Sequence, residues 1–320
     1  ANIMTRNLMI FGQGATRSHP YVLQEMQLAK QEVSDHTVDA FDEVFFAHVG
    51  FSIGNAARAF VLGIAGQWLS KNPGNTRLAQ HYQDIDRLSA AFALIADVSM
   101  LSLQSQLKFK EMLSARLGDL LSYLYMASMV LKHYESEGCP EDEYPLVKWS
   151  MAHLTSAYQQ AMDEILHNYP HRFIAFKLRW QIFPLGQPYR SPQDNLDTEV
   201  AQLFTHNTPL RQRYLANVFS ENIAANPAGK TNAVFLQQDQ LKPIFQKVIT
   251  AIKHKQIPKA VGAQQIALAQ AADVITAEEA KKLSAYDKQL MEVIHVDHFT
   301  EKELVRPKPV VKKRAPKKST

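Results

Sequence analysis

The sequence predicts an all-α protein made of antiparallel helices in one or two bundles, with a disordered basic C-terminal tail. Three observations support this prediction. Apolar residues recur at steps of three and four along most of the 320 residues, which is the spacing of one helix face. Helix start and stop signals lie between these periodic segments. Alternating apolar and polar residues bounded by turn signals, which would indicate strands, are not found in the sequence.

The first element is an apolar stripe within residues 1–11. Ala1 is a poor N-cap, and nothing before the stripe resembles a helix start. We therefore expect that the sequence enters a helix partway and that further residues precede Ala1. Gly12 and Gly14 follow, and they favour a break between two helices. A phosphate-binding loop is the weaker interpretation, because the G-x-G-x-x-G spacing and a preceding strand are missing.

The second element is the apolar segment Phe45–Trp68, in which Arg58 is the one formal charge. Its length would suit a membrane span, which needs about 20 apolar residues. Arg58 and Asn55 fall near its middle, however, where a charge is costly in a bilayer. We expect a buried core helix; a helix on a membrane surface or docked to a partner is the alternative.

The central elements are three amphipathic helices with clear ends. The segments IDRLSAAFALI and LSARLGDLLSYLYMASMVL each carry one apolar stripe. Gly138, with Pro140 beyond it, is expected to end the second helix. Pro145 can begin the third, because the first helical N–H has no intrahelical partner to lose. The residues expected on the buried faces are Ile85, Leu88, Phe92 and Ile95; Leu113, Leu117, Leu120, Leu124 and Leu131; and Met151, Leu154, Tyr158, Met162 and Ile165.

Three later helix starts carry N-terminal signals. The stretch S-P-Q-D from Ser191 offers an N-cap, a proline at the first helical position and an acid in the first turn. Thr208, also followed by proline, repeats the signal. Thr276 and Glu279 have the spacing of a capping box, in which each side chain satisfies the other residue's free backbone N–H.

The basic charge of the chain is concentrated in its tail. The whole chain has 35 Lys and Arg against 31 Asp and Glu. Residues 306–320 hold seven of the cations and no acid, which leaves 28 cations against 31 acids in residues 1–305. The net charge therefore does not indicate a nucleic-acid-binding surface on the fold. The single cysteine, Cys139, excludes an internal disulfide, favours a reducing compartment and is expected to be inert in its turn.

Candidate catalytic and metal-binding groups are weak in the sequence. His167 and His171 are four residues apart, but a proline breaks the helix between them and a third ligand is missing nearby. A second group at the boundary to the tail consists of His295, Asp297 and His298. No Ser-His-Asp or Cys-His arrangement stands out. We therefore expect no metal site, and the residues alone indicate a helical domain without a visible active site.

Three stretches of the sequence carry a family resemblance: ANIMTRNLMIFGQGATRSHPYVLQEM, LSARLGDLLSYLYMASMVLKHYESEG and FPLGQPYRSPQDNLDTEVA. They resemble the C-terminal part of the long bacterial acyl-CoA dehydrogenases. These enzymes are flavoproteins of fatty-acid β-oxidation that carry a helical C-terminal extension. The resemblance covers nearly the whole chain except the basic tail, in the same order and spacing.

The resemblance implies α,β-dehydrogenation of a fatty acyl-CoA to a trans-2-enoyl-CoA, with FAD as the cofactor. In this family a Glu-Gly pair directly precedes the segment similar to ANIMTR, and that Glu is the catalytic base. No catalytic residue is therefore expected within the chain. By position, Ala1, Asn2 and Ile3 would lie near the FAD nucleotide. Shorter family members usually have Thr and Gln at the first and third of these positions, and Ala1 and Ile3 cannot make those side-chain hydrogen bonds.

The resemblance also implies a domain organisation and a set of partners. Residues 1–20 would end the dehydrogenase's own helical subdomain, 21–300 would be the bacterial-type helical extension, and 301–320 a disordered tail. Expected partners are the acyl-CoA, an electron-transfer flavoprotein and a second copy in a homodimer, without nucleic acid. The expected location is the bacterial cytoplasm, with peripheral contact to the inner membrane. The alternative is a non-catalytic helical module for dimerisation or membrane-surface docking.

Overall fold

The computed structural model describes residues 14, 16–65, 77–295, 299 and 304. Within these residues it contains eleven α-helices of at least seven residues and no β-strand, so the all-α prediction is confirmed. The helices are α1 Val22–Leu28, α2 Asp35–Ala65, α3 Ala79–Leu103, α4 Glu111–Ser136, α5 Tyr144–His167, α6 Arg172–Ile182, α7 Asp194–Phe204, α8 Pro209–Leu215, α9 Pro227–Lys253, α10 Gly262–Ala271 and α11 Ala277–Ile294.

The chain divides into two compact units, Ala1–Leu203 and Phe204–Thr320. In the described part of the first unit, consecutive long helices pack side by side: α2 on α3, α3 on α4, and α4 on α5. Short connections join α3 to α4 and α4 to α5, as in an up-and-down bundle. α6 packs against both α5 and α2. The boundaries that the resemblance implies near residues 20 and 300 stay predictions.

The core of the first unit is built from the helix faces that the periodicity predicts. Leu117 and Leu120 of α4 are fully buried, and Met162 of α5 lies in the same cluster. Full burial of such a side chain contributes about 1.5–3 kcal/mol. The one polar atom of Tyr158 is also satisfied, because its hydroxyl donates to the backbone carbonyl of Leu88 at 2.8 Å.

The predicted helix end at Gly138 is confirmed. Gly138 has a φ of +80°, a left-handed conformation that favours glycine. Its N–H donates to the carbonyl of Glu135 at 3.0 Å, and the N–H of Cys139 donates to that of Tyr134 at 2.9 Å. The carbonyls at the end of α4 are thereby satisfied. The next helix, α5, begins at Tyr144 with Pro145 in its first turn, as predicted.

The prediction that the apolar segment forms a buried core helix is wrong. Its described part, residues 45–65, belongs to α2, whose buried residues within the structure are His48, Ala59, Leu62 and Gly63. One side of α2 packs on α3 and α6, and another side carries exposed apolar side chains. The segment is apolar around most of its circumference, whereas its neighbours cover only one side. Residues 66–68 lie outside the described residues.

The predicted N-cap at Ser191 is also wrong, because α7 begins at Asp194. The chain before it is tied to α5 in a non-helical conformation. The N–H of Tyr189 donates to Gln159 Oε1 at 3.0 Å, and Gln159 Nε2 donates to the carbonyl of Tyr189 at 3.0 Å. This two-way hydrogen bond holds the backbone away from a helix until after Ser191.

The second unit has its own core between α9, α10 and α11. The buried side chains there include Val234, Leu241, Ile244, Val248, Ala269, Leu283 and Tyr286. Both predicted caps in this unit are confirmed. The side chain of Thr208 accepts the N–H of Arg211 at 3.1 Å, and Thr276 and Glu279 form a complete capping box. Most of the predicted tail, 301–303 and 305–320, lies outside the described residues.

Candidate functional site

The positions that the resemblance assigns to the flavin cannot be placed. Ala1, Asn2 and Ile3 lie outside the described residues. The expected base lies before Ala1. The flavin assignment therefore stays an expectation from the sequence.

The two histidine groups of the sequence analysis are located only in part. His167 is the last residue of α5, and His171 is the N-cap of α6, so a helix break lies between them as predicted. His295 directly follows α11. Asp297 and His298 lie outside the described residues.

The structure brings together three side chains that the sequence analysis does not select: His19, His48 and Asp97. Their potential ligand atoms all lie within 4.8 Å of one another. His19 precedes α1, His48 lies on α2 and Asp97 lies on α3. Because 78 positions separate His19 from Asp97, no local spacing could reveal the cluster. Asp97 lies two residues beyond Ile95 and roughly opposite the predicted apolar stripe, so helix periodicity does not reveal its burial either.

Asp97 is a buried carboxylate whose two oxygens both have partners. Oδ1 lies 3.1 Å from His19 Nε2. Oδ2 accepts from the hydroxyl of Ser52 and the side-chain amide of Asn55, each at 3.2 Å. Ser52 and Asn55 follow His48 by four and seven residues, so one face of α2 turns all three towards α3. These hydrogen bonds offset the free-energy cost of burying a carboxylate.

Both ring nitrogens of His19 are engaged. Nδ1 accepts the backbone N–H groups of Tyr21 and Val22, each at 3.2 Å. A ring nitrogen that accepts carries no proton, so the proton of the neutral ring lies on Nε2 and is donated to Asp97. His19 thereby links the start of α1 to α3.

His48 has one engaged nitrogen and one open nitrogen. Nδ1 lies 2.7 Å from Glu25 Oε1, and since a carboxylate only accepts, Nδ1 is the donor. In the neutral ring Nε2 then carries a lone pair. His48 is buried, with only 4% of its surface exposed. Its Nε2 nevertheless has no hydrogen-bond partner among the described residues. A buried polar atom without a partner costs about 1–3 kcal/mol.

Aromatic rings enclose the two imidazoles. Tyr21 stacks on His48 with a centroid distance of 5.8 Å. Phe51 meets the ring of His19 edge-on at 5.6 Å. The two imidazole centroids are themselves 4.6 Å apart. This surrounding holds both imidazoles in place and lowers the polarity next to them.

A separate cleft of about 470 Å³ lies beside the C-terminal end of α2, and Asp84, Arg87 and Tyr189 form part of its lining. Burial raises the pKa of Asp84 to about 6, against the opposing effect of hydrogen bonds from Gln80 and Tyr189. A carboxyl with a raised pKa in a cleft is a candidate functional group, but structural networks also shift pKa values. The hydroxyl of Tyr189 donates to Asp84 Oδ1 at 3.3 Å, which favours the structural explanation.

Exposed apolar side chains form a further feature, the α2/α6 apolar surface. Among the described helices, α2 alone is long and apolar enough to cross a membrane by length and composition, and 17% of its most apolar stretch is buried. The rings of Phe60 on α2 and Trp180 on α6 lie 4.8 Å apart and join the two helices. The surface consists of Phe46, Ile53, Phe60 and Ile64 of α2 and Phe173, Phe176 and Trp180 of α6.

α6 combines this surface with positive charge. Phe173, Phe176 and Trp180 are 72%, 65% and 58% exposed, and their spacing of three and four residues puts them on one face. Arg172 and Lys177 of the same helix are exposed as well. Aromatic residues beside Lys and Arg are typical of helices that lie on a membrane surface.

One comparison with known proteins identifies the family. A family model described as acyl-CoA dehydrogenase, C-terminal, bacterial type matches residues 16–299. This match confirms the resemblance drawn from the sequence. It includes the His19–His48–Asp97 cluster and the α2/α6 apolar surface. No solved structure matches the chain.

Proposed function

Since this chain belongs to the family of bacterial-type acyl-CoA dehydrogenase C-terminal domains, we propose that it is the C-terminal portion of an FAD-dependent acyl-CoA dehydrogenase. The parent enzyme oxidises a fatty acyl-CoA to a trans-2-enoyl-CoA in β-oxidation. The single observation that carries this proposal is the family match over 16–299. The parent acts as a homodimer in the bacterial cytoplasm and passes its electrons to an electron-transfer flavoprotein.

In this proposal the catalytic base is the Glu of a Glu-Gly pair that directly precedes Ala1 in the parent. FAD supplies the hydride acceptor when it is bound. The positions assigned to both lie outside the described residues. Ala1, Asn2 and Ile3 contribute backbone groups and the Asn2 amide near the FAD nucleotide. The described helices form the C-terminal helical extension of the parent.

The experiment compares purified 1–320 with the complete parent protein. We expect the parent to bind FAD stoichiometrically and to oxidise long-chain acyl-CoA, and 1–320 to show neither flavin absorbance nor oxidation. Replacing the parent's Glu before Ala1 by Gln should abolish oxidation while FAD stays bound, because only the base is removed. Stoichiometric flavin in 1–320, or full activity in the Gln variant, would contradict the proposal.

A second candidate function is a docking module, and the α2/α6 apolar surface favours it. Three aromatic side chains of α6 are more than half exposed, and an exposed apolar patch of this kind is typical of an interaction site. The exposed cations Arg172 and Lys177 make an anionic lipid surface the best match for it. In this candidate the helix lies on the membrane, and the basic tail adds attraction.

Docking on the membrane surface fits α2 better than a membrane span does. His48, Ser52 and Asn55 on α2 are engaged by Glu25 and Asp97 inside the first unit. A spanning α2 would have to break these contacts and take the polar groups into the hydrocarbon region, where each unsatisfied group is costly. The face with Phe46 and Ile53 can meet lipid headgroups while these contacts are kept.

A further inference from the structure

We propose that His19, His48 and Asp97 form a binding site for a divalent transition-metal ion, with Zn²⁺ as the ion that suits these donors best. Two imidazoles and one carboxylate are a common donor set for such ions. The proposal concerns a metal-binding site in the first unit. It is independent of acyl-CoA oxidation and of membrane docking.

The distances within the cluster are close to those of a coordination shell. Two ligands bound to Zn²⁺ at about 2.0–2.1 Å in a tetrahedron lie about 3.3–3.4 Å apart. His19 Nε2 and Asp97 Oδ1 are 3.1 Å apart. The potential ligand atoms of the cluster all lie within 4.8 Å of one another, so the side chains would have to move closer together to complete the shell. Three protein ligands leave one coordination position for water.

His48 provides the strongest argument for a bound ion. Its Nδ1–H is held by the carboxylate of Glu25 at 2.7 Å. Metal-bound histidines typically donate their second nitrogen to a carboxylate in this way, which fixes the tautomer and makes the free nitrogen a better ligand. The free nitrogen here is Nε2, which is buried and lacks a hydrogen-bond partner among the described residues. A metal ion that accepts this lone pair would give Nε2 the partner it lacks.

Asp97 is prepared in a similar manner. Ser52 and Asn55 both hold its Oδ2, which fixes the carboxylate and leaves Oδ1 for the cluster. Hydrogen-bonded carboxylate ligands are the rule in metal sites.

His19 must change its tautomer to bind the ion. Without metal its Nε2–H is donated to Asp97, because Nδ1 accepts from Tyr21 and Val22. When the ion binds Nε2, the single proton of the neutral ring moves to Nδ1. Nδ1 can then no longer accept these two backbone N–H groups, so the two 3.2 Å contacts are given up.

The ion would fasten the start of the described chain to the bundle. α1 has no buried residue of its own. Its attachment to α2 includes the contact between Glu25 and His48, and His19 extends it to α3. A single ion shared by His19, His48 and Asp97 would link all three elements, so we expect metal binding to raise the melting temperature.

The test uses chain 1–320, treated with EDTA, desalted and then titrated with Zn²⁺. Bound metal is measured by mass spectrometry after a second desalting step, and affinity by competition with a chromophoric chelator. We expect one Zn²⁺ per chain and a higher melting temperature with Zn²⁺ than with EDTA. Wild-type chain that retains no Zn²⁺ would overturn the proposal.

Variants locate the site. His48→Gln and Asp97→Asn should lose the bound ion and the rise in melting temperature. Glu25→Gln should still bind one ion at saturation but with an affinity lower by about 10–100-fold, since Glu25 acts through His48. The control is His167→Gln together with His171→Gln, which removes the other histidine pair and should change nothing. Loss of the ion in the control, or its retention in His48→Gln, would overturn the proposal.

A measurement on the wild-type chain covers the case in which the variants do not fold. Co²⁺ has visible absorption bands that are strong in four- and five-coordinate sites with histidine ligands. We expect these bands to saturate at one equivalent of Co²⁺ and to disappear on addition of Zn²⁺. Weak bands typical of hydrated Co²⁺ would overturn the proposal.

Discussion

Burial of Asp84 disfavours the charged form of its carboxyl group. Burial raises its pKa to about 6 from an ordinary value of 3.8, although Gln80 and Tyr189 donate hydrogen bonds to it. Between about pH 4 and 6 the folded chain therefore holds this proton while the unfolded chain has lost it. Stability falls with rising pH wherever the folded state binds more protons, so this contribution falls between about pH 4 and 6 and then levels off.

We predict that Asp84→Asn raises the free energy of unfolding at pH 7 by about 1–3 kcal/mol, since a pKa shift of one unit corresponds to about 1.4 kcal/mol. The amide keeps an oxygen that can accept from Tyr189 and removes the charge that burial penalises. At pH 4 the gain should disappear. Urea unfolding followed by tryptophan fluorescence at the two pH values measures the difference.

The matched control is Asp39→Asn, on an exposed position of α2. A surface substitution of this kind usually changes stability by less than about 0.5 kcal/mol. Destabilisation of the chain by Asp84→Asn at pH 7 would contradict the prediction. It would mean that the charged carboxylate of Asp84 stabilises the fold through its partners in the cleft by more than its burial costs.

Residue-level partners are the part of this molecule that the sequence reveals least. Periodicity identifies Tyr158 as buried, but it does not show that its hydroxyl meets the carbonyl of Leu88, 70 positions away. The same holds for His19 and Asp97. A helix pattern reports which face turns inward, whereas the opposite group is set by how two helices pack.

At the level of elements, α6 carries a prediction about docking. Replacing Phe173, Phe176 and Trp180 together by Ser should weaken binding of the chain to vesicles of phosphatidylcholine and phosphatidylglycerol. We expect a loss of at least about tenfold, because removing even 1.4 kcal/mol of apolar burial has that effect. Co-sedimentation at low salt measures it, and vesicles of phosphatidylcholine alone should bind the wild-type chain less well.

The control for α6 is Val261→Ser, which changes a side chain that is 87% exposed in the second unit. All these variants keep the basic tail, so any difference belongs to α6. Equal binding by the triple variant and the wild type would refute docking through this helix. A wild-type dimer that the triple variant converts to a monomer, without vesicle binding by either, would assign the surface to dimerisation.

Three helix ends follow from local signals in the sequence, and surface exposure does not. Gly138, Thr208 and Thr276 each lie at a helix end, where backbone groups require a specific partner or conformation. These requirements are met by residues close in sequence, so the sequence predicts them. The exposure of α2 is different. An apolar circumference shows that a helix can be buried, but only its neighbours decide how much of it is covered. Ser191 failed as a cap because Gln159, on another helix, holds the preceding chain.

The whole molecule contains two compact units with separate cores. Leu117 belongs to a cluster formed within residues 59–183, and Leu283 belongs to a cluster within residues 234–286. The two clusters share no residue. A domain with its own core can unfold on its own, so a single free energy of unfolding need not describe the chain. The sequence did not determine whether the helices form one bundle or two, because periodicity does not reveal which helices share a core.

The chain contains a natural probe for this division. All three of its tryptophans, Trp68, Trp149 and Trp180, fall within 1–203, whereas helices in both units contribute to circular dichroism. We predict that Leu117→Ala lowers the urea midpoint seen by fluorescence. Leu283→Ala should leave that midpoint in place and lower a transition seen by circular dichroism. Each should cost about 2–5 kcal/mol in its own unit, the usual range for deleting a buried leucine side chain. A shift of the fluorescence midpoint by Leu283→Ala would mean that the two cores unfold together, and the units would then be one cooperative domain.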